Sequence, residues 1–218
     1  MNRLPSSIRQ YVAAFRLLLV FTVICGIIYP VVMWGVAQAA FKNQADGSLV
    51  TVNGKVVGSS LLCQEFTDAK GNPLPQYFQP RPSNASSSSV KNDYGCDPEY
   101  SGAANLGPNS PTLLQNVKQR QQQIAKFDHV SVSQIPPDAV TTSGSGLDPD
   151  ISPQYADIQV ARVAAARHLP VATVQALVSK YTQSRVLGFL GEPRVDVLTL
   201  NIALDELPGQ AKYAEAGA

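Results

Sequence analysis

The sequence predicts an α+β (mixed α/β) extracytoplasmic domain carried by one N-terminal transmembrane helix. Three observations point there: an uncharged apolar run from Leu17 to Ala40, a Val-rich hairpin signal around Asn53-Gly54, and helical stretches that open behind Ser110-Pro111 and Ser152-Pro153. The 218 residues are enough for one anchor and one domain of ordinary size.

The run LLLVFTVICGIIYPVVMWGVAQAA is roughly 36 Å long as a helix, enough to cross a ~30 Å hydrocarbon core. A lone segment inside lipid must be helical, since only a helix or a closed barrel pairs its own backbone groups there. Arg3, Arg9 and Arg16 precede the run and only Lys42 follows it closely. The positive-inside rule therefore puts residues 1–16 in the cytoplasm, 17–40 across the membrane and 41–218 outside. Pro30 removes one helix hydrogen bond and predicts a kink. Gly26, Pro30 and Ala37 fall near one face with Trp34, where small residues let another helix approach; a face that simply meets lipid is the plainer alternative. A cleaved signal peptide is the competing reading of the whole run, with Ala37-Gln38-Ala39 as its cleavage site. The run is longer than the roughly 7–15 apolar residues of such a peptide, and a proline interrupts it.

Only 15% of residues are charged, and the net charge of +1 has two unlike parts. Three arginines precede the run; behind it fourteen Lys/Arg face sixteen Asp/Glu. A domain so nearly neutral has no electrostatic footprint for nucleic acid. Cys25 lies in the apolar run, whereas Cys63 and Cys96 lie where the compartment can be oxidising. A disulfide between the latter two and a pair of free thiols both fit. With no Cys-x-x-Cys pair and no histidine nearby, a metal site is not expected.

Along the domain, Asn53-Gly54 between Val-rich runs in residues 48–62 predicts a hairpin, and QYFQ at 76–79 adds a short strand. Residues 81–110, rich in Ser, Asn, Gly, Asp and Pro, read as a long loop. Ser110-Pro111 opens a helix with Leu113, Leu114, Val117, Ile124 and Phe127 on one face, and Ser152-Pro153 opens another that runs to about His168. A third is expected over Ala172–Ser184, burying Val174, Leu177, Val178 and Tyr181. A turn over Gly188–Pro193 follows. Residues 195–207 fit a strand over Leu198–Leu204 and a helix equally.

The densest feature is VTTSGSGLDPDIS at 140–152. Gly144 and Gly146 permit positive φ, hydroxyls crowd the stretch, and a helix opens directly behind it. Thr142, Ser143, Gly144, Ser145, Gly146, Leu147 and Asp148 form the candidate contact loop. An anion site or a docking surface at the helix start is one reading; a loop whose polar groups satisfy one another is the other. Catalysis has little support. Gly144-Ser145-Gly146 lacks the spacing of a nucleophile elbow, and His129 and His168, the available bases, sit at helix ends. No phosphate-binding Gly-x-x-x-x-Gly-Lys-Ser/Thr motif is present, and one uncharged helix cannot line an ion pore alone.

Several separated motifs, in one order behind one anchor, carry a specific resemblance. They are Val57-Gly58-Ser59, Gln64-Glu65-Phe66, Tyr77-Phe78, Arg81-Pro82-Ser83, Asn105-Leu106-Gly107-Pro108, Ser143–Pro149, Gln159, Arg162-Val163-Ala164, Ala166-Arg167, Gly188, Gly191–Val195 and Leu200-Asn201. The chain resembles the C subunit of the Kdp-type potassium-transporting ATPase. The resemblance implies a non-catalytic accessory subunit of a high-affinity, ATP-driven potassium uptake pump in a bacterial cell (inner) membrane. It implies three partners: a channel-like potassium-binding subunit, a P-type ATP-hydrolysing subunit and a small membrane peptide. It further implies that ATP, Mg and K+ belong to the complex, with no cofactor bound by this chain alone, and that the subunit acts as a catalytic chaperone raising ATP affinity. The family's soluble domain is expected over the outer mouth of the channel-like subunit. The sequence departs from the pattern at Cys63, where glycine is expected, at Ala103-Ala104 in place of a Gly/Ser pair, and at Asp196 in place of Asn. The Ser-rich stretch at 85–90 reads as a lengthened surface loop. The alternative function is a stand-alone, membrane-anchored binding or sensor module.

Overall fold

A computed structural model describes residues 5–86 and 95–208. The chain divides into two compact units, Met1–Leu49 and Val50–Ala218.

The first unit is helical: α1 (Ser6–Val23), a π turn (Ile24–Ile28), α2 (Tyr29–Ala40) and α3 (Lys42–Ala45). Among the described residues one stretch, Ile8–Ala40, is long and apolar enough to cross a membrane. Helix thus starts well ahead of Leu17 and carries Arg9 and Arg16. The π turn sits directly before Pro30. Proline gives no N–H to the carbonyl four residues back and its ring crowds that carbonyl; a widened turn is one way a helix takes this up. Gly26 and Pro30 are exposed and Ala37 is half-buried, and large apolar side chains such as Leu18, Tyr29 and Trp34 stand bare around the helix.

The second unit is the α+β domain. β1 (Leu49–Val52) and β2 (Lys55–Ser59) pair in a two-stranded sheet. Their turn is Asn53-Gly54, with φ of 52° and 80°, the left-handed pair that tight hairpins require. α4 (Pro111–Asp128) begins at the expected proline, where Ser110 Oγ accepts from the Leu113 amide. Its face packs less fully than its spacing suggests: Val117 and Ile124 meet the core, whereas Leu114 is exposed.

The centre consists of α5 (Pro153–Ala166), α6 (Val171–Tyr181) and α7 (Val197–Asp205) around a small antiparallel sheet. That sheet has β5 (Arg194–Asp196) between β3 (Asp150–Ile151) and β4 (Thr182–Gln183). Asp150 lies opposite Asp196, Ile151 opposite Val195, and Thr182 opposite Val195. Phe78, Val163, Val174, Val195, Leu200 and Leu204 are wholly buried, each worth roughly 1.5–3 kcal/mol relative to leaving it in water.

Two expectations need correction, one left open is decided, and one falls largely outside the described residues. α5 ends at Ala166 and α6 at Tyr181, both short of His168 and Ser184, because His168 turns left-handed (φ 56°) and Thr182 enters β4. Of the two readings open at 195–207 the helix holds: Leu198–Leu204 lies within α7, and Asp196, which ends β5, caps it by accepting from the Thr199 amide at 2.7 Å. Residues 76–79 are not a strand. Side chains take the place of a neighbouring strand: Asn201 pairs with the backbone of Phe78 in both directions at 2.9 Å, and Gln159 does the same for Gln79. Finally, much of the Ser-rich stretch at 85–90 lies outside the described residues.

Arg162 in α5 and Arg167 just past its end complete the hold on this segment. Arg162 donates to Asp128 (2.6 Å), Gln159, and the Pro75 and Tyr77 carbonyls, and its guanidinium lies over the Phe127 ring. Arg167 donates to the Gln76 carbonyl and Asp205, both at 2.6 Å, and lies over Tyr77. Burial pushes the Asp128 carboxyl above its ordinary range, and Arg162 opposes this. A buried arginine fork with each donor matched to an oxygen is the geometry in which such a pair is tolerated.

Candidate functional site

The loop between α4 and α5 is built from short-range turns and then fastened from outside. Thr141 donates to the Pro137 carbonyl (2.8 Å), the Ser143 Oγ accepts from the Gly146 amide (2.8 Å), and the Ser145 Oγ accepts from the Leu147 amide (3.0 Å). Asp148 Oδ1 accepts from the Asp150 amide at 3.1 Å. These are the local hydroxyl and carboxylate turns that such residues favour.

The outer fastenings come from three distant segments. Arg81 donates to Asp148 Oδ2 (2.7 Å) and to the Thr141 carbonyl (3.3 Å). Ser83 Oγ donates to the Gly146 carbonyl (2.6 Å) while accepting from the Ala85 and Cys96 amides. The Gly102 amide and Ser101 hydroxyl both donate to the Ser145 carbonyl, at 2.9 and 3.0 Å. From the other side the Cys63 amide donates to the Leu147 carbonyl at 3.0 Å. The structure joins Cys63 to Cys96 in a disulfide with Cα atoms 5.4 Å apart, and the Cys63 Sγ lies 3.3 Å from the Gly146 carbonyl oxygen. The bond thus sits directly beneath the loop.

The two glycines differ. Gly146 is buried with φ +74°, and a Cβ there would lie 2.5 Å from the Gly102 carbonyl oxygen and 2.8 Å from Ala85. Gly144 faces open space. Thr142, Ser143, Leu147 and Asp148 are half-buried, leaving Gly144 and Ser145 as the exposed tip. An open groove of about 640 Å³ runs beside it, with Leu61, Leu62 and Arg81 on its far wall.

The place an incoming anion would take at the start of α5 is held by the chain itself. Asp138 accepts from both the amide and the hydroxyl of Ser152 at 2.8 Å, and Ser152 Oγ caps the Tyr155 amide. What the loop offers outward is shape. Ser145 makes no hydrogen bond to His129 or His168 among the described residues, and both histidines are exposed, left-handed residues just beyond helix ends. Among the described residues no group of three or more His, Cys, Asp or Glu is gathered as metal ligands.

Near β3 and β5 the carboxylates crowd. Asp150 is pushed up to about 6, first by burial and then by Asp196 and Asp148, against the pull of Arg194 at 3.0 Å. Burial also raises Asp196, which its contacts with the α7 amides oppose.

Sequence reading singled out the loop but missed what fastens it, Ser83 and Gly102 above all. Gly26, Pro30 and Ala37 belong to the helical unit.

Comparison with known proteins identifies the chain's relatives. A family model described as KdpC, the c chain of K+-transporting ATPase, matches residues 11–206. A potassium-transporting ATPase KdpC subunit of Streptomyces avermitilis is 47% identical over 218 residues, covering 94% of this chain and 97% of that one. That of Geobacter sulfurreducens is 45% identical over 195 residues (89% and 96%) and that of Gemmatimonas aurantiaca 50% identical over 184 residues (84% and 86%). With a match over most of its length and relatives this similar, the chain belongs to the KdpC family, the c chains of potassium-transporting ATPases.

Proposed function

We propose that this chain is the non-catalytic accessory subunit of a high-affinity, ATP-driven potassium uptake pump. It stabilises the assembly and acts as a catalytic chaperone that raises the ATP affinity of a P-type ATP-hydrolysing subunit. Its other partners are a channel-like potassium-binding subunit and a small membrane peptide, and ATP, Mg and K+ are bound by the complex. Residues 1–16 face the cytoplasm, 17–40 span the membrane, and the domain from residue 41 onward lies outside, above the potassium entrance. Any effect on ATP affinity then travels through the membrane as a coupling free energy between separate sites.

The observation that supports this reading best is the state of the 140–152 loop. The side chains of Thr141, Ser143, Ser145, Asp148 and Ser152 are engaged in internal bonds, so the loop presents a tied surface and not an activated nucleophile, which suits docking and not turnover. The test compares the purified pump with and without this chain. Loss of assembly, or a higher KM for ATP in its absence, is expected, together with failure to grow at micromolar external potassium. A pump that is complete and equally active without the chain overturns the reading.

A further inference from the structure

Between α4 and residues 65–82 lies a cleft of about 1000 Å³, larger than the groove beside the contact loop. A concave site with a few polar groups set in an apolar wall is the usual form of a small-molecule pocket. Pro75, Pro80, Ile124 and Phe127 supply the apolar wall. Two polar side chains on the cleft are not used up by the fold.

The first is Tyr155, on α5. It is only 4% exposed, yet its hydroxyl makes no hydrogen bond among the described residues and is not sealed off from the cleft. A buried tyrosine hydroxyl usually finds a partner. Burial, and after it the Asp128 carboxylate, push the phenol above its ordinary range, so it stays a neutral donor.

The second is Arg120, half-buried on α4. Its Nη1 donates to the Val140 carbonyl at 3.0 Å. Its Nε and Nη2 have no acceptor among the described residues, and neither is sealed off. Burial pulls its pKa down, with no acidic neighbour to oppose the effect. A charge taken out of water is costly unless it is paired. The other two guanidiniums on the cleft are paired, Arg162 with Asp128 at 2.6 Å and Arg81 with Asp148 at 2.7 Å.

Charge sets the class of ligand. Arg81, Arg120, Lys126 and Arg162 line the cleft together with Glu65 and Asp128. Asp148, outside the lining, answers Arg81, which leaves a surplus of one positive charge. One surplus charge suits a monoanion, whereas a phosphate dianion would meet two acids with too little to offset them. The guanidinium fork matches a carboxylate through two parallel hydrogen bonds. We propose that this cleft binds a small organic monocarboxylate with an apolar body. The Nε and Nη2 of Arg120 hold its two oxygens, the Tyr155 hydroxyl donates to one of them, and the proline and Phe127 wall covers the rest.

The full chain, purified in detergent micelles, is titrated with benzoate, with benzamide as its uncharged counterpart, and with inorganic phosphate. Benzoate should shift the NMR signals of the Arg120 Nε–H and the Tyr155 ring saturably, with a Kd of about 1 mM, and the other two should not. Tyr155→Phe keeps the ring and removes only the hydroxyl. It should melt no lower than wild type and bind benzoate about tenfold more weakly, the worth of one hydrogen bond to a charged group. Arg120→Gln should lose saturable binding. Absence of a saturable benzoate shift in the wild-type chain overturns the proposal. Equal binding of benzamide, tighter binding of phosphate, or wild-type affinity in Tyr155→Phe overturns it as well.

Discussion

The Asn201 side chain grips the backbone of Phe78 from both sides, its Oδ1 accepting from the amide and its Nδ2 donating to the carbonyl, each at 2.9 Å. Gln159 repeats the arrangement one residue on, at Gln79. Replacing Asn201 with Leu keeps the branched shape but leaves a buried donor and acceptor unpaired. The expected loss is about 2–6 kcal/mol, from roughly 1–3 per orphaned group. Chemical denaturation of the purified full chain measures it. A loss below about 0.5 kcal/mol, the range of ordinary surface changes, would show that water replaces the amide without cost.

This pairing also explains a misreading. QYFQ has the composition of a strand, but the groups that satisfy its backbone lie 80 and 123 positions away in sequence, where no local pattern points. The caps at Ser110 and Ser152 were legible because a cap is made by its own next three residues. At 195–207 the alternation over Leu198–Leu204 lies wholly within α7, which is buried on most sides and so blurs the helical period, and Asp196, a capping residue, was the available mark of the helix start. For the 140–152 loop, composition announced a turn, but its fastening by Arg81, Ser83 and Gly102 is tertiary.

The two glycines of the loop should separate folding from docking. Gly146→Ala should destabilise the chain by about 2–4 kcal/mol, through the positive φ and the clash with the Gly102 carbonyl. Gly144→Val meets open space, so its thermal midpoint should stay at the wild-type value. If the loop tip touches a partner, Gly144→Val alone lowers the yield of assembled complex. Normal assembly and transport in that variant would remove the tip from the interface.

The disulfide closes a loop across 33 positions. Constraint of the unfolded chain predicts a loss of about 3–4 kcal/mol for the Cys63→Ser/Cys96→Ser pair. Because Cys63 and Cys96 both hydrogen-bond within the network around Gly146, amide exchange should quicken at residues 143–147 as well as at 95–102. Exchange that rises only at 95–102 would show that the bond does not support the candidate loop.

Asp150 gives a pH signature. Its folded-state value of about 6 stands above the ordinary 3.8. Between those values the folded chain binds more protons than the unfolded one, so this group's contribution is present at low pH and is lost as pH rises through 6. Asp150→Asn cannot ionise. Its melting temperature relative to wild type should climb from about pH 4 to 6 and then level off. A difference that is flat or falls across that window contradicts the assignment.

Asp196 should tolerate the residue that the family resemblance expects. Asparagine caps a helix about as well as aspartate, so Asp196→Asn should change stability by less than about 0.5 kcal/mol, whereas Asp196→Ala should cost about 1 kcal/mol. Urea unfolding of the three proteins would distinguish these outcomes. An asparagine variant as weak as the alanine one would mean that the charge, and not the cap, holds α7.

The placement of the Cys63–Cys96 bond gives the chain a form of address verification. A copy whose domain stays in a reducing compartment lacks the cross-link beneath Gly146, so its loop loses one of its fastenings. If the domain is delivered to an oxidising compartment, as proposed above, that delivery would be registered chemically at the candidate contact loop.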